Sequence, residues 1–139
     1  MANINFNKRD PIYLQVIDHF RRKFVSDQFF LGEELPSRQE IARQLGINPN
    51  TVQRAFSEME ENNWIFTEPN RPSQVTFDAA VIEKIKRDFV QTAVKEFVAS
   101  IQTIDISYQE VADLLAQEIK NQETVKQELK KEDGGNQDD

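Results

Sequence analysis

Apolar and polar positions alternate along this chain in two rhythms. After Pro11, Tyr13, Val16, Ile17, Phe20 and Phe24 recur at three-to-four spacing, which predicts an amphipathic helix running to about Ser26. Ser37 followed by Glu40 has the form of a capping box, opening a short helix with Ile41, Ala42 and Leu45 inward. Gly46 ends it, and Asn48-Pro49 supplies the next start: a capping side chain, then a proline where its missing N–H costs nothing. Val52, Ala55, Phe56 and Met59 give this third helix one apolar side.

Past Asn62-Asn63 the rhythm changes. Residues 64–67 and 74–77 are short β-prone runs around the proline-stiffened segment 68–73, which predicts a small hairpin. From the capping residue Asp78, helical spacing resumes through Val81, Ile82, Ile85, Phe89, Ala93, Phe97, Val98 and Ile101. Asp105-Ile106 interrupts it. Ser107 with Glu110 then starts a last helix carrying Tyr108, Val111, Leu114, Leu115 and Ile119, and residues 130–139 are expected to fray into disorder. Two helices with such wide apolar stripes cannot bury both against each other alone. Part of that surface must meet the N-terminal region or a second copy of the chain, and the second copy is the expectation.

Composition removes most chemistry. At 139 residues, there is room for one ordinary domain and a short appendage. With no Cys there is no disulfide framework, thiolate metal site or cysteine nucleophile, and a single His argues against histidine-clustered metal sites and Ser/His/Asp triads. Four Gly argue against phosphate-cradling loops. No nucleophile–base pair, metal-ligand spacing or cofactor motif appears, so neither an enzyme nor a cofactor is expected. No apolar run reaches membrane-spanning length and the first residues lack a signal-peptide core, so a cytoplasmic protein with no membrane association is predicted.

The net charge of −7 speaks against nucleic acid, whose binding depends on neutralising phosphates. Its distribution changes that reading. Residues 1–77 hold 9 basic and 10 acidic side chains, whereas residues 78–139 hold 8 and 14. Within the first part, residues 36–54 carry Arg38, Arg43 and Arg54 against Glu40 alone, so a local basic face survives.

Ala42, Gly46 and Val52 lie at the spacing of a helix-turn-helix: a small residue for close approach, a glycine for the left-handed turn, a β-branched residue for packing. Around them stand Pro11-Ile12-Tyr13-Leu14-Gln15-Val16, Leu35-Pro36-Ser37, Glu40-Ile41-Ala42, Leu45-Gly46-Ile47-Asn48-Pro49-Asn50-Thr51-Val52 and Arg54-Ala55-Phe56. Together these resemble the winged helix-turn-helix domain of GntR-type bacterial transcription regulators over about residues 11–77. The short two-helix tail resembles the YtrA subfamily. The resemblance implies a mainly α fold with a small β-hairpin wing. Its parts are a DNA-binding domain over 1–77, a helical dimerisation region over 78–129 and a disordered acidic tail over 130–139. It also implies a homodimeric repressor of a palindromic double-stranded DNA operator, often that of an ABC transporter operon; whether a small-molecule effector acts is not legible.

On that resemblance, Arg38, Gln39, Gln53 and Asn50 are the candidates for base edges, Ser37, Thr51 and Arg54 for phosphates, and Arg71 for the minor groove. Ile85, Phe89, Ala93, Phe97, Ile101, Val111 and Leu115 are the candidates for the dimer interface, with an effector pocket as the alternative use of Phe89, Val90, Ala93, Phe97 and Ile101. Three departures stand out. The order Arg38-Gln39 replaces the usual Val-Arg, and Gln53 stands where arginine is usual. Glutamine suits adenine through N6 and N7 as arginine suits guanine, which predicts half-sites richer in A·T. The wing tip reads Asn70-Arg71-Pro72 instead of a basic residue between glycines, which questions its close approach to DNA. These departures and the acidity motivate a second reading, a winged-helix module that has lost DNA binding and works through protein partners. Trp64, Phe66 and Phe77 are expected to pack the wing onto the core, and His19 to be a structural residue without metal.

Overall fold

The computed structural model describes residues 4–26 and 28–135. The element order is α1 (Ile12–Phe24), α2 (Arg38–Leu45), α3 (Pro49–Glu61), β1 (Ile65–Phe66), β2 (Gln74–Val75), α4 (Ala79–Ile101) and α5 (Tyr108–Gly135). The chain divides into two units, Met1–Glu96 and Phe97–Asp139, with α4 beginning in the first and ending in the second.

Local chemistry sets the helix ends. The Ser37 hydroxyl accepts the Glu40 N–H at 3.0 Å and caps α2, and Gly46 closes that helix at φ 67°, a left-handed conformation that glycine enters at little cost. Asn48 Oδ1 accepts the Asn50 N–H at 2.8 Å ahead of Pro49. Asp78 Oδ1 accepts the Ala80 N–H at 2.9 Å before α4, and Ser107 Oγ accepts the Glu110 N–H at 3.1 Å before α5. Asn63, at φ 64°, turns the chain out of α3 toward the hairpin.

The core of the first unit lies between α1, α2, α3 and the hairpin. Val16, Phe20, Ile41, Val52, Ala55, Phe56 and Met59 are fully shielded, and the Phe20 and Phe56 rings meet edge to face at 5.8 Å. Each of the larger side chains contributes roughly 1.5–3 kcal/mol by leaving water. The strands pair antiparallel, Ile65 with Val75 and Phe66 with Gln74, and are shorter than the runs predicted from sequence. Glu34 adds a bridge to Gln74, so the segment before α2 flanks the hairpin.

Three expectations need correction. Phe77 does not join the core: it is 66% exposed and lies against Phe66 at 5.5 Å and over Gly32. A Cβ on Gly32 would meet the Phe77 ring at 2.0 Å, and its φ is 78°, so glycine is required there twice over. Ile85, assigned to the dimer interface, is 4% exposed and so buried within its own chain. Finally, α5 continues through Gly135 where disorder was expected from Lys130. Lys130, Lys131 and Glu132 are good helix formers that continue the helix preceding them; residues 136–139 lie outside the described ones.

Candidate nucleic-acid interface

A face for DNA is built by α2 and α3 together. The left-handed turn at Gly46 and the capped start at Asn48 leave the first two turns of α3 open while Val52, Ala55, Phe56 and Met59 point inward. Asn50, Gln53 and Arg54 are exposed on α3, Gln39 and Arg43 on α2, and Thr51 is half-buried. The Ser37 hydroxyl still has its own hydrogen to donate after capping α2.

The arginines of this face are each engaged. Arg38 Nη2 donates to Glu60 Oε1 at 2.9 Å, with its guanidinium 5.3 Å from the Phe56 ring centre. Thr67 Oγ1 donates to the same Glu60 oxygen at 2.7 Å and lies 2.6 Å from Ser73 Oγ, so one carboxylate ties α2, α3 and both arms of the hairpin. Arg38, expected at a base edge, therefore has a standing intramolecular partner. Arg43 Nε donates to Glu40 Oε2 at 3.0 Å, and this pairing holds the Glu40 carboxyl down to about 2 from an ordinary 4.5. Arg54 forms no ion pair among the described residues; its guanidinium stacks on the Tyr13 ring of α1 at 3.8 Å. Gln53 Nε2 donates to Ser57 Oγ at 3.2 Å, one turn further along α3.

The wing tip is less altered than its sequence suggests. Asn70 adopts φ 60°, the left-handed conformation that glycine would supply and that asparagine tolerates. Arg71 is exposed, with Nη1 3.8 Å from Glu68 Oε2, a loose pair that water screens.

Sequence reasoning missed the supports of this face. Tyr13 was read as a core position, Glu60 as part of a solvated helix end, and Thr67 only as part of a β-prone run; they come from different elements, and only the tertiary fold unites them with the arginines.

In the second unit, Phe97, Ile101, Ile104, Ile106, Val111, Leu114 and Leu115, with the polar Glu118, line a hollow of about 410 Å³. No described residue of that unit is buried. Along α4, Val90, Val94, Phe97 and Val98 form an exposed stripe, between 38% and 53% accessible, and Leu114, Leu115 and Ile119 form another on α5. Among the predicted interface residues, Ala93, Phe97 and Leu115 are exposed, while Ile101 and Val111 are partly covered. Phe89 is half-buried under Arg21 and Arg22, whose guanidinium carbons lie 5.2 and 5.0 Å from its ring centre.

Two helices joined by a left-handed glycine, the second open at its N-terminal end and flanked by a β-hairpin, define a winged helix-turn-helix domain. The signature of the family described as bacterial regulatory proteins, gntR family, matches residues 12–75, the span of α1 through β2. Residues 12–75 thus carry a DNA-binding domain of the gntR type, and the proteins that the chain is similar to are transcription regulators. It is similar to YhcF of Bacillus subtilis, an HTH-type transcriptional regulator, at 29% identity over 78% of this chain and 89% of that protein. It is also similar to the HTH-type transcriptional repressor YtrA of the same organism, at 32% identity over 57% of this chain and 61% of that one. A solved GntR family transcriptional regulator from Listeria monocytogenes superimposes with a TM-score of 0.74 at 27% identity, over 81% of this chain and 98% of that chain. No helix among the described residues is long and apolar enough to cross a membrane.

Proposed function

We propose that the chain is a homodimeric repressor of the YtrA subfamily that binds a palindromic operator. One observation carries the dimer: a DNA-binding domain is joined to helices on which, among the described residues, Val90, Val94 and Val98 of α4 and Leu114, Leu115 and Ile119 of α5 stand exposed in stripes. Monomeric soluble proteins rarely leave such stripes in water. Repression is supported by the likeness to the repressor YtrA, and the resemblance extends to an operon encoding a transporter. In this reading Gln39, Asn50 and Gln53 face base edges, Ser37, Thr51 and Arg54 hold phosphates, and Arg71 enters the minor groove. Arg38 serves as a brace between the helices. Two copies address half-sites on one face of the duplex, about one helical turn or a multiple apart.

The test is fluorescence anisotropy of the purified chain on DNA from upstream of its own operon, against scrambled DNA, at two salt concentrations. Tight, salt-sensitive binding to the upstream DNA alone is expected. Absence of binding to either DNA at low salt would instead support a module working through protein partners.

A further inference from the structure

We propose that Gln53, its amide oriented by Ser57, reads an adenine in each half-site, which makes the operator A·T-specific at that position. The inference rests on the operator-binding reading above and names the base that the site selects.

On α3, Asn50, Gln53 and Ser57 fall at spacings of three and four and share one face. The N-terminal residues of such a helix meet base edges in the major groove. Arginine, the side chain that reads guanine in bidentate fashion, is committed elsewhere: Arg38 to Glu60, Arg43 to Glu40, and Arg54 onto the Tyr13 ring of α1. Among the described residues, the amides of Asn50 and Gln53 on α3 and of Gln39 on α2 are exposed and engaged in neither an ion pair nor a ring stack. An amide matches adenine, its oxygen accepting from N6 and its nitrogen donating to N7. Gln53 already spends one of its two N–H groups on Ser57 Oγ at 3.2 Å. The second N–H and Oε1 remain, which is the donor–acceptor pair adenine requires. The bond to Ser57 also fixes which end of the amide is which, so Ser57 is a positioning residue for the reader. Glu58 and Glu61 place negative charge toward the far end of α3, which favours close approach of phosphates at the turns that carry Asn50 and Gln53.

The experiment is selection by the full chain from a duplex pool randomised over about three helical turns, roughly 30 base pairs, followed by anisotropy titration of single-position variants. The natural chain should enrich one invariant A·T pair per half-site whose replacement by G·C weakens binding on the order of tenfold. Gln53→Ala should erase discrimination at that pair and at no other, and Gln53→Arg should convert it to G·C. Ser57→Ala should keep the preference for adenine but shrink it, leaving affinity for unmatched DNA unchanged; full discrimination in Ser57→Ala would remove Ser57 from the account. A selected motif that Gln53→Ala leaves unaltered, or whose Gln53-dependent pair is G·C, overturns the inference while the regulator reading stands. A pool that yields no motif and no salt-sensitive binding brings down the operator-binding reading itself, and the inference with it.

Discussion

The two units of this chain solve the problem of apolar surface in opposite ways. In the first, Phe20, Phe56, Ile41 and Met59 are withdrawn completely from water by three short helices and a hairpin. In the second, Leu114 is 59% exposed and Ile119 60%, although α5, with 28 residues, is longer than α1, α2 or α3. Length does not make a core; closure does. Three helices and a hairpin enclose a core, whereas the end of α4 with α5 leaves its apolar positions open. The first unit has the means to fold as it stands, and the second has the means to join something. That difference assigns their roles in the proposed repressor: one reads DNA, the other sets how many readers act together.

The deepest way to break the contrast is to open the closed core. Phe56→Ala should cost about 3–5 kcal/mol and lower the thermal midpoint of the winged helix sharply, as read by circular dichroism. Leu114→Ser, on the open seam, should leave the same transition of the single chain nearly unmoved. Equal losses for the two would mean that the seam is covered within its own chain.

Next in size is the effect on assembly. Phe97→Asp places a charge in the exposed stripe of α4 and should give a folded monomer with operator affinity reduced roughly a hundredfold, since two linked half-site contacts become one. Sedimentation and anisotropy on the same sample would check both halves of that outcome, and an intact dimer would remove Phe97 from the interface.

A smaller effect concerns Arg54 on its Tyr13 platform. A stacked guanidinium of this kind is worth about 0.5–1 kcal/mol. Arg54→Ala should weaken binding evenly across sequences and lower the salt slope by about one. Tyr13→Leu should reproduce part of that loss and Tyr13→Phe none. A full loss in Tyr13→Phe would show that the hydroxyl itself touches DNA.

The smallest effect is a pH dependence in the first unit. Burial pushes the His19 imidazole below its ordinary value of 6.5, and the neighbouring Lys23 acts in the same direction. The unfolded chain then binds the proton more readily, so stability is fully present above 6.5 and declines as the pH falls through that value. His19→Gln should flatten the decline in thermal midpoint between pH 7 and 5; an unchanged slope would place its origin elsewhere.

Sequence patterning carried far where the controlling interactions are local. The cap at Ser37, the left-handed Gly46 and the start at Asn48-Pro49 each depend on residues within one turn, and each appears as expected. The helix pair and hairpin were therefore legible, and so was the exposed face of α3. Tertiary partners were not. The Arg38–Glu60 pair spans 22 residues and joins two helices, and Tyr13 meets Arg54 from a third; no spacing rule announces either. Apolar periodicity also says which side of α4 is greasy without saying what covers it, which is why Ile85 was assigned to a partner it does not need. At the wing, the positive φ that a glycine would supply is adopted by Asn70, a backbone feature that residue identity alone does not announce.

The most direct test of the account is sedimentation equilibrium of the full chain over a wide concentration range. The account predicts a single species of twice the 16.2 kDa chain mass, reduced to one chain by Phe97→Asp without loss of helical signal. A natural chain that stays monomeric at every concentration, with its α4 and α5 stripes bare, would contradict it.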